Sequence, residues 1–140
     1  MRLLLAALIV LLLAPPLHAD DPPGGPDKGA IQSVIRRQLD AFRRDDAAAA
    51  FSLASPTIQA AFGTPTQFLA MVRSTYAPVY RPRAVDFTTL SVEAAGPTQQ
   101  VELIGPDGLG YTATYILEKE SSGEWRINGC TLVQSSRVET

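Results

Sequence analysis

Between residues 30 and 44 the apolar positions Ile31, Val34, Ile35, Leu39 and Phe42 recur at steps of three and four, with Arg36, Arg37, Asp40, Arg43 and Arg44 set between them. That period predicts an amphipathic helix with one stripe for a core and a charged, solvated face. The next stretch, "DDAAAAFSLAS", opens on acidic residues suited to a helix N-terminus, continues in alanine and meets Pro56. A second short helix is expected there, and "PTIQAAFG" adds one more turn closed by Gly63. Thr64-Pro65-Thr66-Gln67 has the form of a capping box with proline at the first helical position, ahead of Phe68, Leu69, Met71 and Val72. It predicts a third helix closing near Arg73.

After residue 83 the period falls to two. Segments 84–92, 100–104, 109–119 and 125–133 alternate as strands do, and "GPDG" at 105–108 and "ESSG" at 120–123 stand where hairpin turns are needed. Leu109, Tyr111, Ala113, Tyr115 and Leu117 share one face of the third strand, and Trp125, Ile127, Thr131 and Val133 one face of the fourth, so the sheet is covered on one side. Cys130 then falls on the opposite face, unless "NGC" carries a bulge, which Gly129 permits. Helices first and strands after define an α+β class: three N-terminal helices packed into a curved four-stranded antiparallel sheet.

Helices and strands are joined by "RSTYAPVYRPR", residues 73–83. Pro78 and Pro82 fix their own φ and push Ala77 and Arg81 toward extended geometry, which predicts a rigid connector. It also sets amphipathic rings beside planar cations, so Tyr76, Tyr80, Arg81 and Arg83 are the candidate ligand-binding residues, for a small apolar or anionic ligand. The plainer reading is that the rings seal the end of the core while the arginines make surface ion pairs.

The first nineteen residues, "MRLLLAALIVLLLAPPLHA", have a basic start, an apolar run of about twelve residues and a small-residue exit. They predict a secretory signal peptide cut after Ala19; the run is shorter than the roughly twenty residues that span a bilayer, so no membrane anchor is expected after cleavage. Residues 20–29, "DDPPGGPDKG", read as a flexible linker, 30–134 as the domain and 135–140 as a C-terminal tail. The expected location is periplasmic or secreted. Removing the signal leaves 11 basic against 14 acidic residues, a net charge of −3, which argues against nucleic acid. It also removes His18, the only histidine, and with it the usual metal ligand and the usual neutral-pH acid or base. The lone Cys130 forms no internal disulfide. No cofactor or metal is expected.

Three helices followed by a meander ending in "GEWRINGCTL" resemble the nuclear transport factor 2-like superfamily of cone-shaped α+β barrels. More closely, "AFRRDDAAAAFSLASPTIQAAFG", "FLAMVRSTYAPVYRPR" and "WRINGCTLV" resemble the bacterial domain of unknown function 4864 family. The resemblance implies the fold, an exported life and a cone whose open end often holds a pocket; it supplies no catalytic residues. The expected function is a non-catalytic module that binds a ligand or another envelope protein, with a homodimer through the outer sheet face as a further possibility. The alternative is an isomerase- or lyase-type enzyme in which Asp86 works with Tyr76, Tyr80, Tyr111 or Tyr115. Strand alternation counts against it, because Asp86 points away from Val85 and Phe87. Cys130 lacks a neighbouring base and is expected to be a quiet, buried thiol.

Overall fold

The computed structural model describes residues 26–138, with side chains for 27–135. The expected signal peptide lies outside them. Helix α1 spans Pro26–Arg43, four residues earlier than the apolar period alone predicts: Pro26 opens it and Asp27 stands in its first turn, where a fixed φ and a negative charge both favour a helix start. Residues 26–29 therefore belong to the domain and not to the linker.

Short helices α2 (Ala47–Ser52) and α3 (Pro56–Phe62) follow, capped by Asp46 and Ser55, whose side chains accept from the amides of Ala49 and Ile58. Helix α4 (Pro65–Thr75) starts on the expected Thr64 cap, and α5 (Ala77–Tyr80) is a single turn. The described chain thus has five helices where three were predicted, α5 lying within the connector expected to be extended. Pro78 sits in its first turn, where the missing N–H costs nothing, and only Arg81, ahead of Pro82, takes the non-helical geometry that proline imposes.

Strands β1 (Ala84–Glu93), β2 (Gly96–Ile104), β3 (Leu109–Lys119) and β4 (Trp125–Val138) form one antiparallel sheet in the order β1-β2-β3-β4. The fold is α+β, the helices covering one face of the meander as expected. Ile31, Ile35 and Phe42 of α1 are buried with Val101, Leu103, Ala113, Tyr115 and Leu117 of the sheet. Among the described residues no helix is long and apolar enough to cross a membrane.

Two departures concern β4. Its pairing with β3 continues to Val138 opposite Leu109, so residues 135–138 are strand and not tail; a backbone ladder extends regardless of side-chain alternation. Ile116 and Leu117 pair with Gly129 and Ile127, so Asn128 is an extra residue and β4 is bulged. Beyond the bulge the alternation reverses. Thr131 and Val133, expected to share the inner face with Ile127, are exposed (Val133 at 65 %), while Cys130 and Leu132 pack against the core.

The bulge is tied to the helices. Ser55 is fully buried; its amide donates to the Ile127 carbonyl at 2.8 Å, and its hydroxyl donates to Asn128 Oδ1 at 2.7 Å. The Ile127 amide returns a bond to the Leu53 carbonyl at 2.9 Å. The α2–α3 junction is thereby pinned to the strand at its irregular point.

Candidate functional site

Because α3 and α4 lean over the bulged end of β4 without filling the space beneath, a cavity of about 210 Å³ remains between helices and sheet. Its floor is buried: Phe42, Phe68, Val72, Val79, Tyr115 and Ile127. Its rim, Ile58, Phe62, Met71, Tyr76, Gly129 and Cys130, is half-buried, so the cavity opens between α3, α4 and the β4 bulge. Phe68 organises the aromatic wall, its ring centroid 5.9 Å from Phe42 and 5.6 Å from both Phe51 and Phe62 in tilted contacts. Helix α3 itself has no buried residue.

Polar groups at the cavity are few and neutral. Gln38 donates its amide to the Ala50 carbonyl at 3.1 Å. Tyr115 and Cys130 are direct partners on β3 and β4 and both border the cavity. The Tyr115 hydroxyl is buried and has no hydrogen-bond partner among the described residues. Cys130 stands beside it and offers only sulfur, a weak acceptor. Burial pushes the Tyr115 phenol well above its usual range, with the neighbouring thiol adding to the rise, and pushes the Cys130 thiol up to about 12. Both stay protonated at physiological pH. No carboxylate borders this cavity, and among the described residues no three His, Cys, Asp or Glu side chains converge to hold a metal ion.

The four candidates from the connector separate. Tyr76 caps the C-terminal end of α4 and joins the cavity rim. Tyr80 and Arg81 lie outside it, in an exposed clasp centred on Asp45, which occupies a left-handed turn (φ 52°) between α1 and α2. Asp45 accepts from the Tyr80 hydroxyl, from Arg81 Nη2 at 3.1 Å and from Arg73 Nη2 at 3.3 Å, while Arg81 Nη1 donates to the Arg43 carbonyl. Both guanidinium groups also lie over the Tyr80 ring, Arg81 at 4.6 Å and Arg73 at 5.3 Å from its centroid. The Tyr80 hydrogen bond, then the two arginines, hold the Asp45 carboxyl below its ordinary value. Arg83 donates its amide to the Ile104 carbonyl at 2.8 Å, beside the start of β1, and its side chain is exposed. Asp86 is exposed opposite Glu102, on the sheet face away from the cavity.

Sequence reasoning placed Tyr115 on the inner face but did not find the cavity rim on α3 and α4. In the sequence Met71 is one of the apolar positions of a helix and Ile58 and Phe62 belong to a single added turn, and only the folded geometry separates a filled core from one with room left in it.

The class defined by this architecture is a small α+β domain whose helices cover one face of a four-stranded antiparallel meander, with an apolar cavity between the two layers. The chain belongs to the family described as domain of unknown function (DUF4864), whose model matches residues 25–140. No curated protein matches significantly. Among solved structures the chain is similar to ActVI-ORFA from Streptomyces coelicolor, at 12 % identity over 77 % of this chain and 97 % of that one, with a TM-score of 0.49.

Proposed function

We propose that the protein is an exported, non-catalytic module that holds a small, largely apolar molecule in the cone cavity. The observation that carries this reading is a cavity of about 210 Å³ with an apolar floor and a half-buried, open rim. Scaled from a dry 150 Å³ cavity that takes benzene, it has room for about eight to nine heavy atoms. Two features support a neutral ligand over an anionic one: the cavity lining carries no cation, and Arg73 and Arg81 are engaged by Asp45. The absence of a carboxylate from that lining favours binding over isomerase- or lyase-type chemistry, which needs a base within reach of the substrate. Export rests on the first nineteen residues.

The binding half is tested by titrating the purified protein with isopropylbenzene and following heat and amide chemical shifts. Saturable binding with a Kd on the order of 0.1 mM is expected for nine heavy atoms of ordinary efficiency. Met71→Trp, which lays an indole across the rim, is expected to weaken it at least tenfold, and shifts scattered away from the cavity would remove the reading. The export half is tested by fractionating the native host and sequencing the N-terminus. A mature chain starting at Asp20 is the expected result, and an intact Met1 in the cytoplasm contradicts it.

A further inference from the structure

Tyr115 borders the cavity, and its hydroxyl is buried with no oxygen or nitrogen partner among the described residues, only the weakly accepting Cys130 sulfur beside it. Tyr115 is 1 % exposed, on the central strand β3, with neighbours fixed by the ladder on both sides: Gln99 of β2 and Cys130 of β4. Gln99 cannot serve it, because that side-chain amide is committed to the Thr89 and Gln100 carbonyls, at 3.3 and 2.8 Å, and its oxygen accepts from Gln32. Gln38, across the cavity, gives its amide to Ala50. Buried hydroxyls are almost always paired, so one left with only a sulfur beside it, in a residue that borders an apolar cavity, marks a place where a better acceptor can be supplied.

We infer that the ligand of the cavity is an uncharged ring compound bearing one acceptor oxygen, a ketone in its simplest form, with the Tyr115 hydroxyl donating to that oxygen. This deepens the binding reading above and rests on it. The aromatic wall of Phe42, Phe62 and Phe68 takes the ring, and the oxygen points toward β3 where Tyr115 and Cys130 pair. Cys130 is a small side chain at the half-buried rim beside the hydroxyl, so the oxygen reaches its donor by displacing a thiol and not a packed hydrocarbon. A carboxylate is refused: the site has a donor but no cation to replace the hydration of a full charge.

Three probes of nine heavy atoms each separate these statements: isopropylbenzene, acetophenone and benzoate, titrated by calorimetry into the wild-type protein and Tyr115→Phe. The substitution removes one oxygen and keeps the ring. Acetophenone affinity is expected to fall about fivefold in the variant while isopropylbenzene changes by less than twofold, as for one neutral hydrogen bond. Benzoate is expected to bind at least tenfold more weakly than acetophenone to the wild type. The carbonyl resonance of 13C-labelled acetophenone is expected to move downfield on binding the wild type, a readout that stands even if the variant folds poorly. An equal change for ketone and hydrocarbon, an unshifted carbonyl, or benzoate binding as tightly as acetophenone overturns this inference and leaves the cavity reading intact. If none of the three binds, the cavity reading itself fails.

Discussion

Replacing Tyr115 by Phe deletes a buried hydroxyl with no oxygen or nitrogen partner among the described residues, only the weakly accepting Cys130 sulfur, and the empty protein is expected to gain stability from the loss. An unpaired buried hydroxyl costs about 1–3 kcal/mol, and the void left by one oxygen returns only part of that, so a net gain of about 1 kcal/mol follows. For a domain of roughly 115 residues this raises Tm by about 3–6 °C. Calorimetric melting at neutral pH, with urea unfolding alongside, measures it; the urea slope should not change, because the surface exposed on unfolding is the same. The ordering should narrow or reverse when acetophenone is present near saturation, because the ligand then stabilises the wild type more than the variant. A Tyr115→Phe protein less stable than the wild type by more than about 0.5 kcal/mol would refute the reasoning, since the hydroxyl must then have a partner in the empty state.

Cys130 makes a second prediction. Its folded value is raised to about 12, so below the unfolded value of about 8.5 the thiol has no effect on stability, and above it the unfolded chain loses a proton that the native chain keeps. Stability should therefore fall by about 1 kcal/mol per pH unit between roughly pH 9 and 12, and urea midpoints at pH 8 and 10 should show Cys130→Ala losing less than the wild type. Ser55→Ala removes both the α3 cap and the bond to Asn128 from a fully buried site; a loss of about 1–2 kcal/mol in urea unfolding is expected. The clasp carries the opposite sign from Cys130: with the Asp45 carboxyl held low, its contribution is present above the ordinary carboxylate value of about 3.9 and is lost as pH falls through the depressed folded value. Proton NMR of the Tyr80 ring should move in that acidic range in the wild type and stay fixed in Asp45→Asn.

Much of the fold was legible because it rests on local chemistry. The three- and four-residue steps of α1, the Thr64-Pro65 helix start and the turns at 105–108 and 120–123 each follow from residues a few positions apart. What escaped was set by contacts distant in sequence. Asp45, the acceptor that gathers Arg73, Tyr80 and Arg81, is 28 to 36 residues away from them, and nothing in "RRDD" says which acid they will find. Tyr76 and Tyr80 look alike in the chain, yet a single helical turn sends one to the cavity rim and the other to the surface. The cavity is a deficit of volume, and no alternation of apolar letters records whether the side chains that meet there fill their space.

The extra residue in β4 works as a parity switch. With Asn128 looped out of the ladder, a thiol and a leucine turn inward and a valine turns to water; were every residue of the same strand paired in strict alternation, Thr131 and Val133 would take the inward places and the wall beside Tyr115 would be rebuilt from different atoms. Which chemistry lines the cavity is thus decided by whether one residue stays out of the ladder as much as by the identity of any side chain, so a change that drew Asn128 into regular pairing would exchange the lining in one step and leave the hydrophobic pattern of the rest of the chain untouched.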